Sequence, residues 1–152
     1  MALEVLGVMT TQAKVRLARM LESGKSFKIA NFAIGDNGTT TDVTIAKTPD
    51  PNITGYDYGN VLSPADLPLP SGKVITSVSF LNAGTCPVFE CDFTGVEYSG
   101  KFSAIYLLGQ VVYSPIPSDP EVGIYFIAAV ATRPQIVITP LDVMQISVGI
   151  SL

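Results

Sequence analysis

The 152-residue chain has no histidine, no tryptophan, only two cysteines, and charged side chains at 14% of positions. Without histidine, the usual nucleophilic triads and most transition-metal sites are excluded, and the commonest general base is gone. Cys86 and Cys91 are not spaced as a CxxC pair, and no imidazole exists to complete a zinc set. On an unbroken strand their odd separation points them to opposite faces, so a bridge would need a turn at Pro87. Two buried, reduced thiols in an intracellularly made protein are expected instead. No stretch reaches the roughly 18 apolar residues of a membrane helix. Met1-Ala2-Leu3-Glu4 lacks the basic start of a signal peptide. The net charge of −4 argues against a nucleic-acid partner, which would call for a basic face.

What the chain does have is apolar surface. Hydrophobic residues make up 47%, and the charged share falls well below the usual figure of about 25%. A soluble chain of this kind has to cover apolar surface by self-association, by docking into a larger assembly, or by filling the core of one two-layer β domain. The length suits one domain over residues 1–152. Charge is unevenly placed. Lys14, Arg16, Arg19, Lys25 and Lys28 cluster near the start, and from Val74 onward Lys101 and Arg133 face Glu90, Asp92, Glu97, Asp119, Glu121 and Asp142. The basic cluster is read as a solvated helix face.

Residues 1–9 form a short apolar lead, a strand or an arm. Thr10 or Thr11 then caps a helix over about 11–23, in which Ala13, Leu17, Met20 and Leu21 recur at the spacing of one buried stripe. Ser23-Gly24 stops it. A strand follows from Phe27 to Ile34, with Phe27, Ile29 and Asn31 on one face and Ala30, Phe32 and Ile34 on the other. Gly35-Asp36-Asn37-Gly38 turns the chain, and residues 39–46 suggest a further extended piece. Residues 48–72 are a proline-rich loop in which Pro49, Pro51, Pro64, Pro68 and Pro70 interleave with Tyr56, Tyr58 and Leu62. Regular structure is excluded over much of it. From Val74 the chain is β-rich. Val74, Thr76, Val78 and Phe80 alternate as a half-exposed strand, Phe89, Cys91 and Phe93 as another, and Met144 to Leu152 as the last. Phe102–Val112 and Gly123–Ala131 are almost wholly apolar, as strands buried on both faces would be. Ile136-Val137-Ile138 reads as a short piece of its own.

Little here resembles a catalytic centre. Glu90 and Asp92 are a close carboxylate pair, but on the polar face of a predicted strand, where a solvated edge is expected. Cys91 lacks a basic partner. Asp36-Asn37-Gly38 with Asp42 lacks the alternating oxygens and closing glutamate of an EF-hand loop. Gly35 and Gly38 follow the helix instead of opening one, so they make no phosphate loop. Asn52-Ile53-Thr54 matches a glycosylation acceptor only in a secreted chain. No catalytic residue, cofactor or metal site is assigned.

The order Thr11-Gln12-Ala13, Leu17-Ala18, Leu21, Gly24-Lys25, then Phe32-Ala33-Ile34-Gly35-Asp36 resembles the opening of phage tail-collar and tail-fibre N-terminal domains. There a short helix of the form T-x-x-G…L-A…G-K precedes a strand ending in A-x-G-D-G. Phe102–Leu108 and Ile124–Val130 are similar to the family's paired strands after a proline-rich crossing. Ala13 stands where the family often has glycine, and apolar Ala104-Ile105-Tyr106-Leu107-Leu108 replaces a charged R-E-I-G-L strand. The resemblance implies a structural virion protein of the tail or baseplate, made in the host cytoplasm. Because the chain stops at Leu152, where a fibre would continue into a shaft, it implies an anchoring or adaptor piece without a receptor-binding tip.

The expectation is therefore an α+β, mainly β fold, an antiparallel sheet or β-sandwich with one short N-terminal helix packed on it. Its partners would be itself, as a homo-oligomer with a trimer as the family-based expectation, and other tail or baseplate proteins. Neither nucleic acid nor membrane is expected. Tyr56, Tyr58 and Leu62, then Leu67 and Leu69, are the expected contacts, unless the loop folds back over the chain's own core. The alternative function is a soluble ligand- or carbohydrate-binding β domain, with Tyr98, Tyr106 and Tyr113 as candidate aromatic platforms.

Overall fold

A computed structural model describes residues 2–62, 73–81 and 84–151. In chain order these residues form β1 (Ala2–Met9), α1 (Thr11–Ser23), β2 (Ser26–Gly35), β3 (Lys73–Val74), β4 (Ser77–Leu81), β5 (Cys86–Thr94), β6 (Gly100–Tyr113), β7 (Tyr125–Ile138) and β8 (Val143–Ile150). All eight strands join one sheet in the order β3-β2-β6-β7-β1-β8-β5-β4. The fold is mainly β with one described helix, as expected, but the sheet is mixed. β1 is drawn between β7 and β8 and runs parallel to β8, with Ala2 beside Gln145 and Gly7 beside Ile150. A connection that spans nearly the whole chain permits parallel pairing, and no local pattern announces it.

The sheet curls until its two edges nearly meet. Residues 73–81 serve both: Lys73 and Val74 pair with β2, and Ser77–Leu81 pair with β5. Between them the Ile75 N–H donates to the Ala30 carbonyl at 2.9 Å and the Thr76 N–H to the Glu90 carbonyl at 2.9 Å. The alternation from Val74 to Phe80 is thus broken at residues 75–76, where one chain segment passes from one edge to the other. The side chains of β4 are all exposed.

The curl creates an inside and an outside. Inside lie Phe32, Ile34, Phe89, Cys91, Phe93, Phe102, Ile105, Leu107, Met144, Ile146, Val148 and Ile150, a continuous apolar core. This confirms the alternation read for β5 and β8. Outside β2, β6 and β7 lies a second core of Ala33, Ala104, Tyr106, Leu108, Phe126, Ala128 and Val130, covered by Ala13 of α1 and by Ile53 and Tyr58 of the following loop. Two cores on two faces explain why β6 and β7 read as nearly unbroken apolar runs. Residues 136–138 are no separate strand but the far end of β7, paired with Gly100–Phe102.

Local signals set α1. The Thr10 hydroxyl accepts from the Ala13 N–H at 3.2 Å and donates to the Ile127 carbonyl at 2.6 Å. Gly24 closes the helix in the left-handed conformation, its N–H on the Met20 carbonyl. The helix docks by a different face from the one its leucines suggested. Ala13 is fully buried, whereas Leu17 is 38% and Leu21 91% exposed. Small Ala13 permits close approach to the sheet, and one turn on the Arg16 guanidinium lies over the Phe126 ring at 4.5 Å. That stacking gives an arginine the place expected of a leucine. Residues 39–46 form no strand: Thr39 and Ala46 make an isolated bridge around a turn in which Asp42 accepts from the Thr44 N–H and hydroxyl.

Candidate functional site

The Gly35–Gly38 turn is a structural clamp. A Cβ on Gly35 would overlap the Tyr58 carbonyl oxygen, and one on Gly38 would overlap the Ser103 carbonyl oxygen. The glycines are needed because backbone passes directly over backbone there. The Asn37 N–H donates to the Tyr58 carbonyl at 3.0 Å, and the Gly38 N–H to the Ser103 hydroxyl at 2.8 Å. Lys47 Nζ donates to the Asn37 carbonyl and side-chain oxygens.

Tyr106 completes the clamp from the sheet side. It is fully buried and receives the Tyr58 N–H at 2.7 Å while its hydroxyl donates to the Gly59 carbonyl at 2.7 Å. Burial pushes its phenol well above the ordinary value. Tyr56 meets the Tyr106 ring edge-on, centroids 5.1 Å apart. The Tyr58 hydroxyl accepts from the Asp50 N–H at 2.7 Å. Leu62 makes an isolated bridge with Ile34 and packs against the inner core. The structure therefore sets Tyr56, Tyr58 and Leu62 against the chain's own core, while Leu67 and Leu69 lie outside the described residues. Tyr106 and Ser103 were missed as anchors. Their one signal is a hydroxyl inside an otherwise apolar run.

The candidate aromatic platforms do not converge. Tyr106 is buried, Tyr113 is exposed at the end of β6, and the Tyr98 hydroxyl donates to the Lys101 carbonyl. A groove of about 520 Å³ runs between α1 and the ends of β2 and β6, with Val15, Arg19, Glu22, Phe27 and Val111 on its walls. Its floor charges are paired. Lys25 meets Asp119 at 2.8 Å and Glu121 at 3.4 Å, and Arg16 meets Glu121 at 3.8 Å. The Lys25 ammonium, the Glu121 N–H and the Ser114 hydroxyl hold the Asp119 carboxyl down at about 2.

Both cysteines sit on β5, buried and unbridged. Cys91 faces the inner core, whereas Cys86 lies toward Gly149, as their odd spacing required. Burial, with smaller contributions from Asp92 and Glu90, pushes the Cys91 thiol far up, so thiolate chemistry is disfavoured. Glu90 and Asp92 lie on the outer face of β5. That strand is interior to the sheet, because β4 covers its edge. Among the described residues no group of three His, Cys, Asp or Glu side chains could hold a metal ion, and no helix is long and apolar enough to cross a membrane.

The outer face of β1, β8, β5 and β4 carries no core cluster among the described residues, α1 packing instead against β7 and β2. Strand register sets its rows: Leu6, Gly149, Val88 and Ser79 in one; Glu4, Ser147, Glu90 and Ser77 in the next; then Ala2, Gln145 and Asp92. Apart from exposed apolar groups such as Leu6, it carries acids and no base. No protein-family model matches the chain, and no curated protein sequence matches it.

Proposed function

We propose that this chain is a structural component of a phage tail or baseplate, self-associating and holding a fibre or neighbouring tail protein. The observation that carries the reading is the outward display of large apolar side chains on a chain with few charges. Leu6, Leu21, Phe80, Val96 and Leu141 all stand more than half exposed. Apolar side chains of this size left in water favour burial against a partner. The tyrosine clamp supports the same reading. It makes the Gly-Asp-Asn-Gly turn and the loop up to Leu62 part of a rigid body, as an attachment piece requires. The carbohydrate-binding alternative lacks support from the tyrosines, which form no common platform. A threefold assembly remains the expectation carried by resemblance to tail-collar domains.

Light scattering on the purified chain at micromolar concentration is expected to give a multiple of the one-chain mass. An antibody against the chain is expected to decorate the tails of particles of the phage that encodes it. A stable monomer that binds glycans would overturn this reading.

A further inference from the structure

We infer that the exposed face of α1 in one copy docks on the bare outer face of β1, β8, β5 and β4 in the next, a head-to-tail contact between identical chains. This rests on the self-association proposed above and names the surfaces that carry it. The donor surface is the stripe Lys14, Leu17, Ala18 and Leu21, spaced i, i+3, i+4, i+7 and pointing away from the body. Such a stripe on a helix already docked by its opposite side is left over for a partner. On the exposed side of the helix Lys14 and Arg19 outweigh Glu22.

The acceptor surface is complementary in charge. Along β8 the outward positions are Gln145, Ser147 and Gly149, and side-chain atoms of Cys86, Leu6 and Val88 lie within 4 Å of where a Gly149 Cβ would be. In the strand register Glu4 and Leu6 of β1 and Val88 and Glu90 of β5 flank this row. The four strands contain Glu4, Glu90 and Asp92 and no lysine or arginine. The outward residues of this face belong to neither core cluster, and α1 packs on the other half, against β7 and β2.

Donor and acceptor lie on different halves of one protomer, so a head-to-tail contact leaves one of each free at the ends until the repeat closes as a ring or runs on as a filament. A second copy is the occupant because the basic, leucine-bearing helix that complements an acidic face is present on the same chain.

Charge reversal tests this by mass measurement. Lys14→Glu with Arg19→Glu reverses the donor, and Glu4→Lys with Glu90→Lys reverses the acceptor. Each pair alone is expected to reduce the oligomer to single chains of unchanged circular dichroism, and a chain carrying all four is expected to reassemble. Leu21→Asn, at a solvent-exposed site, breaks the donor without changing its charge and is expected to give single chains as well. Retention of the wild-type mass by any of these three disrupted forms, or failure of the four-fold variant to reassemble, overturns the inference while leaving self-association through another surface. A wild-type chain that is itself monomeric overturns the self-association reading instead.

Discussion

The two halves of the sheet solve the problem of a second face in opposite ways. On β2, β6 and β7 the outer face is as apolar as the inner one, and α1 and the loop to Leu62 cover it. On β1, β8, β5 and β4 the outer face alternates with the core and is left open. The covered half fixes its lid through a few buried polar groups on the sheet, Tyr106, Ser103 and Thr10's partners on β7, whereas on the open half no outward hydroxyl is buried. Buried hydroxyls in apolar strands thus mark where the chain folds over itself, and their absence marks the surface left for others.

Tyr106→Ala should break the comparison most severely. It removes a fully buried ring and both clamp hydrogen bonds, and a loss of about 3–5 kcal/mol is expected in urea denaturation. Gly38→Ala forces a methyl into the Ser103 carbonyl, and the overpacking is expected to cost about 1–3 kcal/mol by the same measurement. Thr10→Ala removes the cap and the bond to β7, with about 1 kcal/mol expected from the midpoint shift.

The ion pairs beneath the helix end sharpen the contrast through pH. Asp119 is held at about 2, below its ordinary 3.8, because the folded state favours the carboxylate. Its contribution is present above about pH 4 and is lost as pH falls through about 2. The melting-temperature gap between wild type and Asp119→Asn should therefore close over that acid range and stay constant toward neutrality. Least affected should be the open half. Gln145→Ala, exposed on the outer face of β8, is expected to change stability by less than about 0.5 kcal/mol.

Much of the fold was legible where the cause is local. Thr10 or Thr11 at one end and Gly24 at the other bounded α1 closely, because caps act within a turn of themselves; the structure selects Thr10. Phe89-Cys91-Phe93 and Met144-Ile146-Val148-Ile150 declared their inward faces because one side of each strand meets the core and the other does not. The both-face burial of β6 and β7 was visible in their composition. Other features depended on distant partners. The docking face of α1 turned on Phe126, which offers a ring for Arg16 and so leaves Leu17 and Leu21 outside. Tyr58 looked like a contact residue in a proline-rich loop, yet its backbone is held by a tyrosine far along the chain. The insertion of β1 left no mark in its own residues.

That insertion has a mechanical consequence. β1 is the seam between the two halves, and its ties differ in kind. Along β8 it lies parallel over Ala2–Gly7, so a pull along the strand loads those bonds together in shear. Toward β7 it is registered through Val8 beside Val130 and Met9 beside Ala129, with the Thr10 N–H on the Ala128 carbonyl just beyond. Tension that separates the halves would concentrate on this short junction, peeling it open before the long β1–β8 tie yields. The bent segment that joins the far edges would then be left as the remaining strap.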